Sequence, residues 1–197
     1  MTQDLFTALI AFAFVTSVTP GPNNLMLMAS GANFGWQRTV PHMLGVAIGF
    51  VAMILIIGAG LVQVFDAVPV SYTVLRIASV VYMVFLAWKI ANAAAPDVAR
   101  TTGIPMTFLQ ACAFQWVNPK AWAMGLTALS AYASDQSLRA IVLVGLVFGA
   151  INLPSVSLWV ILGQQLQRVL TNPARLRLFN ITMAILLLGS LYPVVFP

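Results

Sequence analysis

Long apolar runs separated by short polar stretches pattern this chain from end to end. The runs cover Leu5 to Ser30, Val40 to Val64, Val68 to Ala95, Pro105 to Ala133, Leu138 to Gln165 and Leu178 to Phe196. Each is close to the ~20 residues a helix needs to cross a bilayer core, so the pattern predicts six helices. Small and polar residues at Gly31 to Thr39, Asn92 to Gly103 and Thr171-Asn172-Pro173 predict loops between them. No Lys or Arg precedes the first run, and Asp4 stands where a signal peptide would carry positive charge; the run is therefore read as a span. The fold class predicted is all-α, an integral membrane protein of six transmembrane helices, with residues 1–197 forming a single transmembrane domain.

Two of the runs are interrupted by proline. In the first, Thr19-Pro20-Gly21-Pro22-Asn23-Asn24 places two prolines about a glycine. Each proline lacks an N–H and crowds the preceding turn, which frees the carbonyls of Thr16 and Val18, so the helix stops and restarts near Pro22 or Asn23. Proline suits a first helical turn and Asn23 suits a cap, so the restarted helix is predicted to point free N–H groups and its positive dipole end at the break. The fourth run is broken at Gln115-Trp116-Val117-Asn118-Pro119-Lys120, where Pro119 frees the carbonyl of Gln115. Lys120 lies about fourteen residues from either end of its run, near the midplane, where a lone charge costs ~3 kcal/mol or more. Hydrocarbon leaves no backbone group unsatisfied without cost, so paired interruptions predict a site for a polar solute. Cation and N–H donors suit a carboxylate, while released carbonyls and amide oxygens suit an ammonium; a zwitterionic amino acid matches both. The predicted substrate-binding residues are Thr19, Pro20, Gly21, Pro22, Asn23, Asn24, Gln115, Asn118, Pro119 and Lys120.

A shift of about a hundred residues lays Ala13-Phe14 on Ala113-Phe114, Val18-Thr19-Pro20 near Val117-Asn118-Pro119, and Gly45 with Gly49 on Gly145 with Gly149. Ala, Val and Gly are abundant enough for such letters to coincide, but the matches keep their order and agree with the helix count. Three spans per half is an odd number, so the halves, about 1–97 and 105–197, are predicted to be inverted repeats. Arg38, Lys89, Arg100, Arg168, Arg175 and Arg177 gather at the odd loops, whereas Arg139, Asp4, Asp66 and Asp135 mark the other side and Arg76 lies a little inside the third helix. The positive-inside rule then makes the odd loops cytoplasmic and both termini periplasmic, in a bacterial inner membrane.

Composition agrees with this class: of 197 residues 61% are hydrophobic and 7% charged, and the mean hydropathy is +0.97. Too little chain remains outside the runs for a soluble catalytic domain. The net charge of +5 is spread over single residues rather than a basic patch, so no nucleic-acid partner is expected. Cys112 is the only cysteine, which excludes an intramolecular disulfide and any cage of several thiolates. No cofactor and no metal site is expected. The Gly45/Gly49 and Gly145/Gly149 pairs suit close helix packing, either within the fold or between two copies in a homodimer. His42 is placed at the cytoplasmic interface, Pro154 at a kink, and the five tryptophans at interfaces or in packing.

The two proline motifs and the glycine-rich second helix resemble the lysine exporter (LysE) superfamily, in particular its homoserine/threonine-resistance (RhtB) branch, and the resemblance spans essentially the whole chain. It implies secondary, proton-driven efflux of amino acids or close derivatives, with Pro20, Gly21, Pro22, Asn23, Asn118, Pro119 and Lys120 at the functional core. One departure is Ala87 where a glycine is expected.

Energy coupling is the weak point of that picture. The chain has no Glu, and Asp4, Asp66, Asp97 and Asp135 all fall at helix ends or in loops. Proton exchange is thus left to Asp4 folded inward, His42 or Lys120, unless the protein is an uncoupled facilitator. A heavy-metal exporter would need Cys, His or carboxylates within the membrane, where only Cys112 stands. A hydrolase would need a nucleophile beside a base, which the lone His42 does not supply, so no enzymatic activity is expected. A purely structural protein would have no use for a buried lysine at broken helices.

Overall fold

The computed structural model describes residues 1–93, 103–133, 137–170 and 172–192, and every described regular element is helical. Helix α1 spans Gln3–Val18 and starts at Thr2, whose hydroxyl accepts from the Leu5 N–H. Helix α2, Pro22–Ile56, begins directly after the first break with Gly21 at its cap and Pro22 in its first turn. It runs through a π-helical turn at Ile57–Leu61 into α3, Val62–Ala67, and α4 follows at Val70–Ala91. The second break separates α5, Phe108–Gln115, from α6, Pro119–Tyr132; then come α7, Leu138–Gln167, and α8, Pro173–Gly189.

Three of the helical stretches are long and apolar enough to cross a membrane, namely Pro22–Ala67, Val70–Ala91 and Leu138–Leu166. The first of these is folded back on itself. Gly35 has φ 76° and ψ 176°, a left-handed φ that side-chain-bearing residues avoid. Across it the Ser30 and Thr39 hydroxyls hydrogen-bond at 2.9 Å, although nine residues along a straight helix would separate them by about 13 Å. Leu27 of the first limb accordingly shares an apolar cluster with Met43 and Val46 of the second.

This corrects the loop expected from Gly31 to Thr39, where helix continues on both sides of a single glycine. The letters Trp36-Gln37-Arg38-Thr39 are already in the second limb, so His42 lies nearly two turns into a helix. It is buried, with 2% exposure. Helix α8 also begins earlier than expected: Asn172 caps it by accepting from the Ala174 N–H, so Arg175 and Arg177 belong to its first turn and a half. The expectations for Asp97, Arg100 and Asp135 lie outside the described residues.

Helices α2 and α7 form the centre of the molecule. Their backbones nearly touch: a Cβ on Gly163 would stand 2.0 Å from the Met28 carbonyl oxygen, and one on Gly31 would stand 2.3 Å from that of Val160. Gly45 and Gly49 of the second limb bring it equally close to α5, at Phe108 and Cys112, which bears out their packing role. Gly149 meets only the Val51 side chain and Gly145 is looser. The main core gathers Leu9, Phe50, Met53, Phe148 and Val144 from α1, α2 and α7, with the Phe148 ring edge-on to Phe50 at 5.4 Å. A second core joins Met83, Leu86 and Ala87 of α4 to Ala184 and Leu187 of α8, so Ala87 is a packing residue.

The outer surface is apolar. On α4 only Ser79, Met83, Leu86 and Ala87 are buried, while Val74, Ile77, Val81, Phe85 and Trp88 face outward. Water would disfavour so large an apolar patch, whereas lipid tails accept it.

Candidate functional site

At the first break several exposed backbone carbonyls are met by side chains, two of which come from distant parts of the chain. Pro22 cannot donate to the Val18 carbonyl, and the Trp159 indole N–H of α7 does so instead at 3.2 Å. The Asn24 amide donates to the carbonyls of Ser17 at 2.9 Å and Thr19 at 2.8 Å, tying the restarted helix back to the end of α1. The Thr19 hydroxyl turns back to the Val15 carbonyl. Lys120, from the second break, donates its Nζ to the Thr19 carbonyl at 2.6 Å and to that of Pro20 at 3.4 Å.

The second break is closed in a similar way. Asn118 caps α6 by accepting from the Lys120 N–H at 3.1 Å, and the Gln115 carbonyl freed by Pro119 accepts from the Asn118 N–H at 3.3 Å. The Trp122 indole donates to the Trp116 carbonyl at 2.9 Å, as Trp159 does at the first break. Buried Gln115 and the Asn23 amide exchange two hydrogen bonds, of 2.8 and 3.2 Å, across ninety-two residues of sequence.

All ten residues singled out from sequence therefore lie at the two breaks, and the structure sets these against each other. Gly21, Asn23, Asn24, Asn118 and Lys120 line one small cavity together. One local expectation fails. Asn23 does not cap α2: Gly21 holds the cap position without any side-chain hydrogen bond, and Asn23 turns to Gln115 because that pairing satisfies both carboxamides away from water. The first-turn N–H groups of α2 thus keep the uncapped, positive end that was expected at the break.

Other polar residues of the site had no motif to betray them. Thr16, Ser17 and Asn152 line the same cavity, and Asn152 Nδ2 lies 3.3 Å from the Ser17 hydroxyl while its buried Oδ1 has no partner. Pro154 was the only local signal, and α7 runs on as helix through it. The cavity measures about 20 Å³, room for about one water molecule and not for an amino acid. Gly21 explains how the two sides come so near. A Cβ there would stand 2.6 Å from Lys120 Cδ and 3.1 Å from its Nζ.

A second, larger cavity of about 300 Å³ lies past Met26 in the first limb of α2, against the ends of α4 and the segment before α5. A third, of about 420 Å³ and mostly apolar, lies by the π-helical turn, between Gly58, Gln63, Leu129 and Ile141. No group of three or more His, Cys, Asp or Glu side chains suited to a metal ion occurs among the described residues.

Lipid-facing helices whose buried polar groups converge on two broken backbones define a multi-pass membrane protein with an internal polar site. The chain belongs to the LysE type translocator family, whose model matches residues 14–190. It is 31% identical over 192 residues to a cysteine/O-acetylserine efflux protein of Escherichia coli O1:K1 / APEC, an alignment covering 95% of each chain. The proteins of the same name from Escherichia coli O157:H7 and strain K12 are 31% and 30% identical, over 95% of this chain and 96% and 95% of theirs. No solved structure matches.

Proposed function

We propose that this protein exports small amino acids from the bacterial cytoplasm by alternating access, and that the two proline breaks form its substrate site. The observation that carries this is the Lys120 ammonium, brought to a broken helix 100 residues away and held on the carbonyls of Thr19 and Pro20. A substrate carboxylate would replace those carbonyls as the partner of Lys120, and the released carbonyls would then accept from the substrate ammonium. Every polar group keeps a partner through the exchange, which the membrane interior demands. The relatives' names, efflux proteins for cysteine and O-acetylserine, favour a small polar amino acid as cargo.

The architecture proposed is six spans in two inverted repeats within one domain, about 1–97 and 105–197, with both termini periplasmic. The helix pairing supports it. Helix α1 packs on α7 as α5 packs on the second limb of α2, and α4 packs on α8, the pattern a two-fold axis in the membrane plane would produce. In the conformation described, the site between the breaks is closed and larger cavities lie on either side of it.

Efflux is proposed to be coupled to protons. A second reading, uncoupled facilitation, is favoured by one observation: no carboxylate lines the site among the described residues. Vesicles loaded with a panel of radiolabelled amino acids, including cysteine and O-acetylserine, test the proposal with wild type and Lys120→Ala. Wild type should release at least one of them, and the variant should lose most of that rate, on the order of a hundredfold if the charged contact is worth ~2–3 kcal/mol. No release by wild type sinks the transport reading, and equal release by both proteins sinks the role of Lys120. Acceleration by an imposed pH gradient separates coupling from facilitation.

A further inference from the structure

His42 is the chain's single histidine, is 2% exposed, and has no hydrogen-bond partner at either ring nitrogen among the described residues. Buried polar groups are almost always paired, so an imidazole with two open nitrogens points to something that joins it. It faces the 300 Å³ cavity, which Ser30, Asn33, Phe34, Lys89 and Met106 also line. The neighbouring polar side chains are occupied elsewhere. Ser30 is bonded to Thr39, and Asn33 is bonded to Asn180 and to the Ala29 carbonyl. His42 keeps a donor and an acceptor unused, and because both nitrogens are buried a turn of the ring would bring one of them to whatever enters.

The cavity is of the right size and charge for a small zwitterion. Its volume is at the lower bound for small-molecule pockets, about fifteen times that of the space between the breaks. Lys89 lies exposed at its rim, and Arg38 bonds the Gly103 carbonyl at 2.8 Å beside it, so two cations stand where a carboxylate would arrive. The two cavities share no lining residue, yet Met26 of one is a single helical turn from Asn23 of the other.

We propose that the His42 cavity is a second binding site, which takes a small amino acid with its carboxylate toward Lys89 and a polar group on His42 before the solute reaches the site between the breaks. This rests on the amino-acid reading above. It adds a position on the path that the two proline motifs do not contain, and makes His42 a selectivity residue for small polar solutes.

The single histidine makes the test direct. The full chain, labelled with 15N-histidine, purified through a histidine-free tag and held in lipid nanodiscs, gives one imidazole signal set to follow during titration with O-acetyl-L-serine and reduced L-cysteine. The expected result is a saturable shift of the imidazole nitrogens in wild type that persists in Lys120→Ala with an affinity within about threefold. In vesicles, His42→Phe should raise KM for efflux about three- to tenfold, the value of one hydrogen bond, with the maximal rate within twofold. His42→Gln, which keeps a donor and an acceptor, should restore KM to within twofold of wild type. An unmoved imidazole in a wild type that exports these solutes overturns the second site and leaves the transport reading standing. A shift that disappears in Lys120→Ala also overturns it, because the ligand is then acting from the breaks. Neither efflux nor shift overturns both readings.

Discussion

Two glycine-to-alanine changes of the same size should have opposite consequences, because the added methyl meets different atoms. At Gly21 the Cβ would stand 2.6 Å from Lys120 Cδ, the middle of a flexible side chain, in backbone of extended φ that any residue adopts. The lysine can swing away, but only by giving up its 2.6 Å bond to the Thr19 carbonyl. A hydrogen bond to a charged group is worth ~1.5–3 kcal/mol, and Lys120 is only partly buried, so the lower figure applies. Gly21→Ala should therefore destabilise the closed arrangement of the breaks by about 1.5 kcal/mol, roughly tenfold in its population relative to open ones. At Gly163 the Cβ would stand 2.0 Å from the Met28 carbonyl oxygen, backbone of a packed helix with nowhere to go. Overpacking of this kind costs ~1–3 kcal/mol, only partly offset by the ~1 kcal/mol by which alanine favours a helix over glycine.

Thermal unfolding in detergent beside efflux from vesicles separates the two. Gly21→Ala should unfold no more than about 3–6 °C below wild type while its efflux rate or KM changes up to tenfold. Gly163→Ala, at a net cost of up to ~2 kcal/mol, should unfold up to about 8 °C lower, and the fraction that stays folded should transport normally. A Gly21→Ala protein that loses stability as Gly163→Ala does, with unchanged transport by its folded fraction, would refute the idea that Gly21 is small for the sake of Lys120.

Trp159→Phe keeps an aromatic ring but removes part of the indole together with the N–H that satisfies the Val18 carbonyl, so it should cost at least about 1 kcal/mol and lower the unfolding temperature by at least about 2–4 °C; an unchanged midpoint would mean that another donor takes over. Asn180→Leu leaves the buried Asn33 without its reciprocal partner and should cost ~1–2 kcal/mol, while Asn33→Leu with Asn180→Leu should recover part of that loss. Additive losses in this pair would show that the two amides do not act as a unit.

What could be read along the chain was whatever a single segment determines. Proline has no N–H in any context, so the breaks at Pro20, Pro22 and Pro119 and the restart at Pro22 were visible before any contact was known. Lys120 announced itself by standing far from either end of an apolar run. Partners were not visible, because nothing local names them: Trp159 reaches Val18 across 141 residues, Asn152 reaches Ser17 across 135, and Asn23 prefers Gln115 to the cap its own helix offered. Polar letters misled where they were few. Gln37, Arg38 and Thr39 read as a loop, yet a chain reversing at one left-handed glycine needs no loop, and the helix that resumes at once carries His42 inside. The same logic explains why the site was legible as two halves and not as a closed whole. Each proline releases a carbonyl locally, but whether that carbonyl waits for a substrate or is met by Lys120 depends on how closely α2 and α6 approach. Gly21 leaves room for that approach, since a Cβ there would stand 2.6 Å from Lys120 Cδ, and in the proposed transport cycle a substrate carboxylate would have to win the Lys120 ammonium from the backbone of Thr19.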